Sequence, residues 1–474
     1  MNIKEDSSFK EKSYNALDAL FFSAFVYLPI GKVDVPTYIG DDFVIDLKHR
    51  TLEEISEEVE NNPRLFNERF NNIKEEDSPV ESERINYLGI IKAMGMSNRY
   101  KDLRIIDFNV KLDNTLGQVC QFCAFLIEIE QNKEYVVAYR GTDRTMEGWY
   151  EDSKMIFQVQ PAQYLALEFL MKALKDYSGI IHITGHSKGG GNAHYAFLEA
   201  SDYRDRLDLI AFDSLFFNKD YAEINKDKII NFSNSNKTKF INVENSFFGE
   251  LLYGTEYCRD KKNLIYIKSV ATHLMQEHQL YNMQLVEGEF EETLLSYESK
   301  LLRDSFRKYI CENRTEAEVF FETVFNILGY DTKESVLNSR ISNKNKMAMI
   351  IKNILAQKDE NLMVAGKVLN NLYSELNQVF EFNKSAHINE ILDESTSKAK
   401  EDNRTLKRII NKYIMEAFNP ETIDDVKQFK LNIEVVGKLL GEYSEYNEEA
   451  EKLKEIFKRK KTGLIDFIKN IIKW

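Results

Sequence analysis

The chain has 474 residues, too many for one ordinary domain and comfortable for two. With 43% apolar, 12% aromatic and 30% charged residues it has the make-up of a globular protein, which excludes disordered and collagen-like classes. A net charge of −14, from 77 acidic against 63 basic residues, excludes a general nucleic-acid binder, because neutralising phosphates requires a basic face.

The first apolar run, Ala19 to Ile30, follows Asp18 and precedes no small-residue cleavage site, so no secretory leader is expected there. No stretch of about 18 apolar residues without a charge occurs, so no transmembrane helix is expected either. Short β-branched and aromatic runs follow at 104–110, 119–130, 135–139, 180–184, 207–212, 239–243 and 264–270. Helix-length stretches at 162–176 and 188–200 separate some of them, and such alternation predicts βαβ units around a mainly parallel sheet. Between Pro161 and Pro420 no proline interrupts the chain, which leaves room for long helices. Beyond residue 290 the strand runs give way to helical periodicity at 316–328, 347–357 and 363–380. The expected division is an α/β domain over 1–290 and an all-α domain over 291–474. The polar stretch at 394–405 is the linker candidate, and no fixed-period repeat suggests a solenoid.

Cys120 and Cys123 form a C-x-x-C inside an apolar run read as a strand, with no second pair to complete a zinc site. With Cys258 and Cys311 they make no disulfide framework, so buried thiols in a reducing compartment, the cytoplasm, are expected, with no metal and no cofactor.

The most informative segment is Gly179 to Ala200, GIIHITGHSKGGGNAHYAFLEA, which reads as strand, sharp turn and helix with G-x-S-x-G at the turn. A nucleophilic serine needs such a strained turn, and Gly185 and Gly189 remove the Cβ atoms that would clash where strand and helix approach. Ser187 would then stand at a helix N-terminus, where N–H groups favour developing negative charge. Upstream, EYVVAYRGT at 134–142 is a strand ending in Arg-Gly-Thr, where α/β-hydrolases supply a second oxyanion donor.

The pair YRGT and GHSKGG resembles the paired motifs of class 3 lipases. More closely, RGTDRTMEGWYEDSKMIF at 140–157, with GHSKGGGN and NALDALFFSAFVYLPI at 15–30, resembles a bacterial family of lipase-like α/β-hydrolases. The resemblance implies an α/β-hydrolase-like fold for the first domain, Ser187 as nucleophile, and the backbone N–H groups of Lys188 and Thr142 as oxyanion donors, Thr142 also through its hydroxyl. Lys188 departs from the leucine usual in class 3 lipases; a salt bridge to a helix neighbour is the preferred reading of its charge, added potential at the oxyanion the alternative. Asp143, Glu147, Trp149 and Asp152 belong to the same resemblance, expected to order the loop over the site, with Trp149 under an acyl group or in the core.

Hydrolases of this type place acid and then base after the nucleophile in chain order. Of the seven histidines, His49, His182, His186 and His194 lie before or within the elbow unit and His387 in the helical part, which leaves His273 and His278 after the last strand of the α/β domain. The stretch MQEHQLYNM resembles the family's histidine-bearing segment, so His278 is preferred. For the acid, the second strand beyond the nucleophile is followed by INVENSFFGELL, which makes Glu244 the first choice. By the resemblance to class 3 lipases, Asn245 occupies the place where an aspartate would be expected, and Asp213, one strand earlier, is the reserve.

At the other end, residues 451–474 carry eight basic against three acidic residues, with Leu453, Ile456, Phe457, Leu464, Ile465 and Ile468 at helical spacing. A basic amphipathic helix of this kind can lie on an anionic membrane surface, and a last helix packed on its own domain is the competing reading. The expected function is a serine hydrolase of acyl esters, lipids among them, working through an acyl-enzyme. A lipase-like fold without turnover, kept alive by Asn245, and a membrane-associated effector governed by the helical domain are the alternatives.

Overall fold

The computed structural model describes residues 7–27, 47–61, 89–113, 119–131, 133–142, 146–258, 262–271, 274–330, 343–372, 423–427 and 430. It divides into two units, Met1–Arg303 and Asp304–Trp474.

In the first unit each predicted strand run forms a strand: β1 (Arg104–Asp113), β2 (Cys120–Glu130), β3 (Glu134–Tyr139), β4 (Ile180–His186), β5 (Leu207–Phe212), β6 (Thr238–Val243) and β7 (Leu264–Ile267). Two-residue strands β8 (Leu285–Val286), β9 (Glu289–Phe290) and β10 (Glu292–Thr293) follow. The main sheet runs β1-β2-β3-β4-β5-β6-β7-β10, with β3 to β7 parallel. The sheet is mixed, because β1, β2 and β3 form an antiparallel meander. The links between them are too short for a crossover helix, and only a hairpin can close such a gap.

Around this sheet lie α1 (Ala16–Phe25), α2 (Leu52–Asn61), α3 (Met146–Met155), α4 (Pro161–Asp176) and α5 (Lys188–Glu199). The parallel strands advance in one direction, and right-handed crossovers then put their connecting helices on one face. Accordingly α4 packs against α5, and Tyr139 on β3 donates to the Ala166 carbonyl of α4 at 2.7 Å. Helix α1 covers the opposite face, where Ser23 Oγ meets Thr184 Oγ1 of β4 at 2.7 Å. Phe25, Phe125, Val136, Ala138 and Ile241 form the core there.

An ionic knot holds α1 in place. Asn15 caps it, accepting from Leu17 N at 2.9 Å, and Asp18 answers by accepting from Asn15 N at 2.9 Å. The same carboxylate takes two bonds from the Arg99 guanidinium, both 2.7 Å, and one from Tyr100 Oη at 2.6 Å. All three side chains are buried, so the charges are satisfied inside the protein.

Cys120 and Cys123, an odd number of positions apart on β2, project to opposite faces, which separates their thiols. Cys120, Cys123, Cys258 and Cys311 are all buried and unbridged.

The first unit continues past the expected end at residue 290, because β10 pairs with β7 and Ser296 N donates to the Glu244 carbonyl at 2.9 Å. Helix α6 (Tyr297–Phe306) opens there. In the second unit α7 (Arg314–Ile327), α8 (Asn343–Ala356) and helical residues 359–372 are described, with Phe320, Ile354, Leu362 and Val368 buried. Among the described residues of this unit there is no strand. Residues 394–405 and 451–474 lie outside the described residues. No described helix is long and apolar enough to cross a membrane.

Candidate active site

Strand β4 ends and α5 begins at Ser187, whose φ of +57° is a conformation that side chains avoid unless the surroundings enforce it. The enforcement is visible at the neighbouring glycines. A Cβ on Gly185 would stand 2.4 Å from Gly189 O, and one on Gly189 would stand 2.2 Å from Tyr139 O. Strand, turn and helix therefore close to backbone contact, and the end of β3 is pressed against the first turn of α5. This brings the chain leading to Thr142 beside Lys188, so the two expected oxyanion donors belong to adjoining backbone segments.

Lys188 is fully buried, and its ammonium is held by Glu151 of α3 at 2.9 Å and the Gln121 carbonyl at 3.0 Å. Glu151 is itself satisfied by the N–H groups of Gln121 and Ala162. The cation is thus engaged in an ion pair between α5 and α3, not with a neighbour on its own helix. Asp152 lies 3.8 Å from the same ammonium and accepts the hydroxyl of Thr142. The single hydroxyl proton of Thr142 is committed to that carboxylate, which leaves its backbone N–H as the donor to consider for an oxyanion. Asp143 lies outside the described residues. Trp149 places its ring 6.5 Å from Phe248, and Phe248 is 4.3 Å from the ring of His278, so this tryptophan stands two rings from that histidine.

His278 is buried, and its Nδ1 lies 2.6 Å from Asp213 Oδ2. A carboxylate oxygen accepts, so Nδ1 carries the proton and Nε2 of the neutral ring keeps its lone pair. Asp213 is fully buried at φ +37°, and its other oxygen accepts the hydroxyl of Ser246. His273 lies outside the described residues.

The carboxylate beside His278 is therefore Asp213, and Glu244 is not in that place. Glu244 is half-buried, and its carboxylate accepts from Thr293 Oγ1 on the edge strand β10 at 3.5 Å. Asp213 closes β5, the strand beside the β4 that leads to Ser187, whereas Glu244 closes β6, one strand further on, and its backbone carbonyl accepts from Ser296 N. The segment INVENS does contribute to the site, but through Ser246.

Sequence reasoning missed His186 and Tyr27. His186 Nε2 lies 2.7 Å from the His278 carbonyl oxygen, Tyr27 Oη lies 2.8 Å from His186 Nδ1, and the two imidazole rings are 4.3 Å apart. Burial, and then the proximity of His278, hold the His186 pKa well below its ordinary value. The only signal for His186 was its position next to the serine.

Among the described residues no group of three or more histidine, cysteine or acidic side chains is arranged to hold a metal ion.

A mostly parallel sheet covered by helices, with a strained serine at a strand-to-helix elbow and, at the end of the next strand, an aspartate against a histidine from the segment after β7, defines an α/β-hydrolase-like fold. In keeping with this, the Mbeg1-like family model matches residues 94–326, a span containing Ser187, Asp213 and His278. The chain is similar in structure to the mono- and diacylglycerol lipase from Aspergillus oryzae, at 13% identity over 60% of this chain and 87% of that one, with a TM-score of 0.29. It is similar to the lipase from Rhizopus microsporus var. chinensis at 11% identity, over 52% of this chain and 84% of that one, with a TM-score of 0.26. In the Rhizomucor miehei lipase propeptide complex the match spans 57% of that chain and 36% of this one, at 14% identity and a TM-score of 0.25. No curated protein matches the chain.

Proposed function

We propose that this protein is a serine hydrolase that cleaves acyl esters through an acyl-enzyme. Ser187 is the nucleophile, His278 the general base and then acid, and Asp213 the group that fixes the histidine tautomer and stabilises the imidazolium. The observation that carries the reading is the 2.6 Å contact between Asp213 and His278 at the strand end adjoining the Ser187 elbow. Backbone N–H groups of Lys188 and Thr142 would receive the oxyanion. The reading that turnover has been lost rested on Asn245 in the acid's place, and an acid supplied by Asp213 removes that motive.

The aromatic surround of the base, Phe248 with Trp149 behind it, favours an acyl chain over a polar substrate, so lipid esters are the proposed class. Four unbridged cysteines support a cytoplasmic setting. The basic, helix-spaced stretch at 451–474 is proposed to make peripheral contact with anionic lipid. Vesicle co-sedimentation that weakens as salt rises, and disappears when this stretch is deleted, is the expected behaviour; salt-independent binding by both forms would contradict it.

The hydrolase reading is tested on a short p-nitrophenyl ester. Ser187→Ala and His278→Ala should each lose turnover by several orders of magnitude at unchanged melting temperature. Wild-type turnover in either variant would overturn the assignment.

A further inference from the structure

We infer that His186, held by Tyr27, is a positioning residue for the base, bracing the main chain that carries His278. The inference rests on the hydrolase reading for its consequence, although the brace itself is a matter of geometry.

For a neutral His186 ring the hydrogen-bond pattern admits one tautomer. The His278 carbonyl can only accept, so the bond at 2.7 Å requires a proton on His186 Nε2. In a neutral ring Nδ1 then holds the lone pair, and it accepts from Tyr27 Oη at 2.8 Å. Full burial beside a second histidine keeps the His186 ring neutral, in agreement with that scheme. Tyr27 is fixed in its turn: its hydroxyl oxygen lies 2.0 Å from where a Cβ on Gly141 would stand, so the phenol is wedged against the strand end that leads to Thr142.

The segment carrying His278 arrives from a distant part of the sequence, and a four-residue helix, Leu274–Glu277, directly precedes the histidine. Asp213 grips its ring, and His186 grips its backbone. Asp213 holds the imidazole of His278 and His186 holds its carbonyl, so ring and main chain of the same residue are both fixed from neighbouring strand ends. Because His186 adjoins Ser187 in the chain, the brace ties base and nucleophile to the same turn. A displacement of the base by a fraction of an ångström is costly to proton transfer, so loss of the brace is read in kcat and not in KM.

The test combines kinetics on a short-chain ester with ¹⁵N NMR of the histidine rings. The His186 ring should show the Nε2–H tautomer in wild type, and Tyr27→Phe should disturb that signal. Tyr27→Phe should lower kcat about tenfold with KM unchanged. His186→Leu should lower it about a hundredfold, and His186→Gln, whose amide N–H reaches the same carbonyl, should restore most of the loss. Wild-type kcat in Tyr27→Phe, or equal kcat in the leucine and glutamine variants, would overturn the inference. If His186→Leu fails to fold, the tyrosine variant and the ring tautomer decide. Absence of any Ser187-dependent turnover in wild type would sink the hydrolase reading instead, while the tautomer measurement would still report on the brace.

Discussion

At the residue scale the structure sorts histidines that look alike in the sequence. His182 sits between Asp208 and Glu134, His186 between Tyr27 and the His278 backbone, His194 among Phe216, Phe232 and Phe240, and His278 against Asp213. Chain order set aside the histidines at or before the elbow, and the resemblance of MQEHQLYNM to the family's histidine-bearing segment then preferred His278 over His273. The acid was not legible in the same way. Carboxylates follow β5 and β6 alike, and the path of the segment after β7, which brings His278 against Asp213, is not written in the pattern of either strand. The account predicts that Asp213→Asn lowers turnover about 10³-fold to 10⁴-fold, while Glu244→Gln stays within about threefold of wild type. Steady-state rates of the two variants on one ester check this, and the reverse order would move the acid to β6. Ser246→Ala, which removes the donor to the second Asp213 oxygen, should cost about tenfold.

At the scale of elements, the elbow was the most legible feature, since G-x-S-x-G between an apolar strand and a small-residue helix admits few other readings. The structure adds why both glycines are required: each faces backbone, which cannot yield as a side chain can. Gly189→Ala should therefore abolish activity and lower the melting temperature together. The attachment of α1 was illegible, because Asp18 and Arg99 are far apart in the chain and neither looks unlike a surface charge. Once buried, their pairing is one-sided: removing the acid strands a guanidinium inside the protein. Asp18→Ala should destabilise the first unit by about 3–5 kcal/mol in urea unfolding, and a loss under about 1 kcal/mol would contradict the buried-pair account.

At the scale of the whole molecule, the strand runs foretold the sheet because continuous apolar stretches mark strands covered on both faces. The meander at its start, and the continuation of the first unit to Arg303, depend on short links and on edge pairing that composition does not announce. One cluster away from the site makes stability depend on pH. Burial opposes the charge on His182, but the hydrogen bond from its Nδ1 to Asp208 and the nearby carboxylate of Glu134 outweigh it and raise its pKa to about 9, against 6.5 ordinarily. A raised folded pKa means that the contribution is complete below about pH 6.5 and is lost as pH climbs through 9. Stability should therefore fall by on the order of 2 kcal/mol between pH 6.5 and 9.5, and His182→Gln should flatten that slope. Parallel pH profiles for variant and wild type would contradict it.

The central claim is that Ser187 is an activated nucleophile, and covalent labelling of the full-length protein with a fluorophosphonate, followed by peptide mapping, tests it most directly. The account predicts one modified residue, Ser187, with labelling abolished in His278→Ala and slowed in Asp213→Asn. An unlabelled wild-type protein, or a label on any other serine, would contradict it.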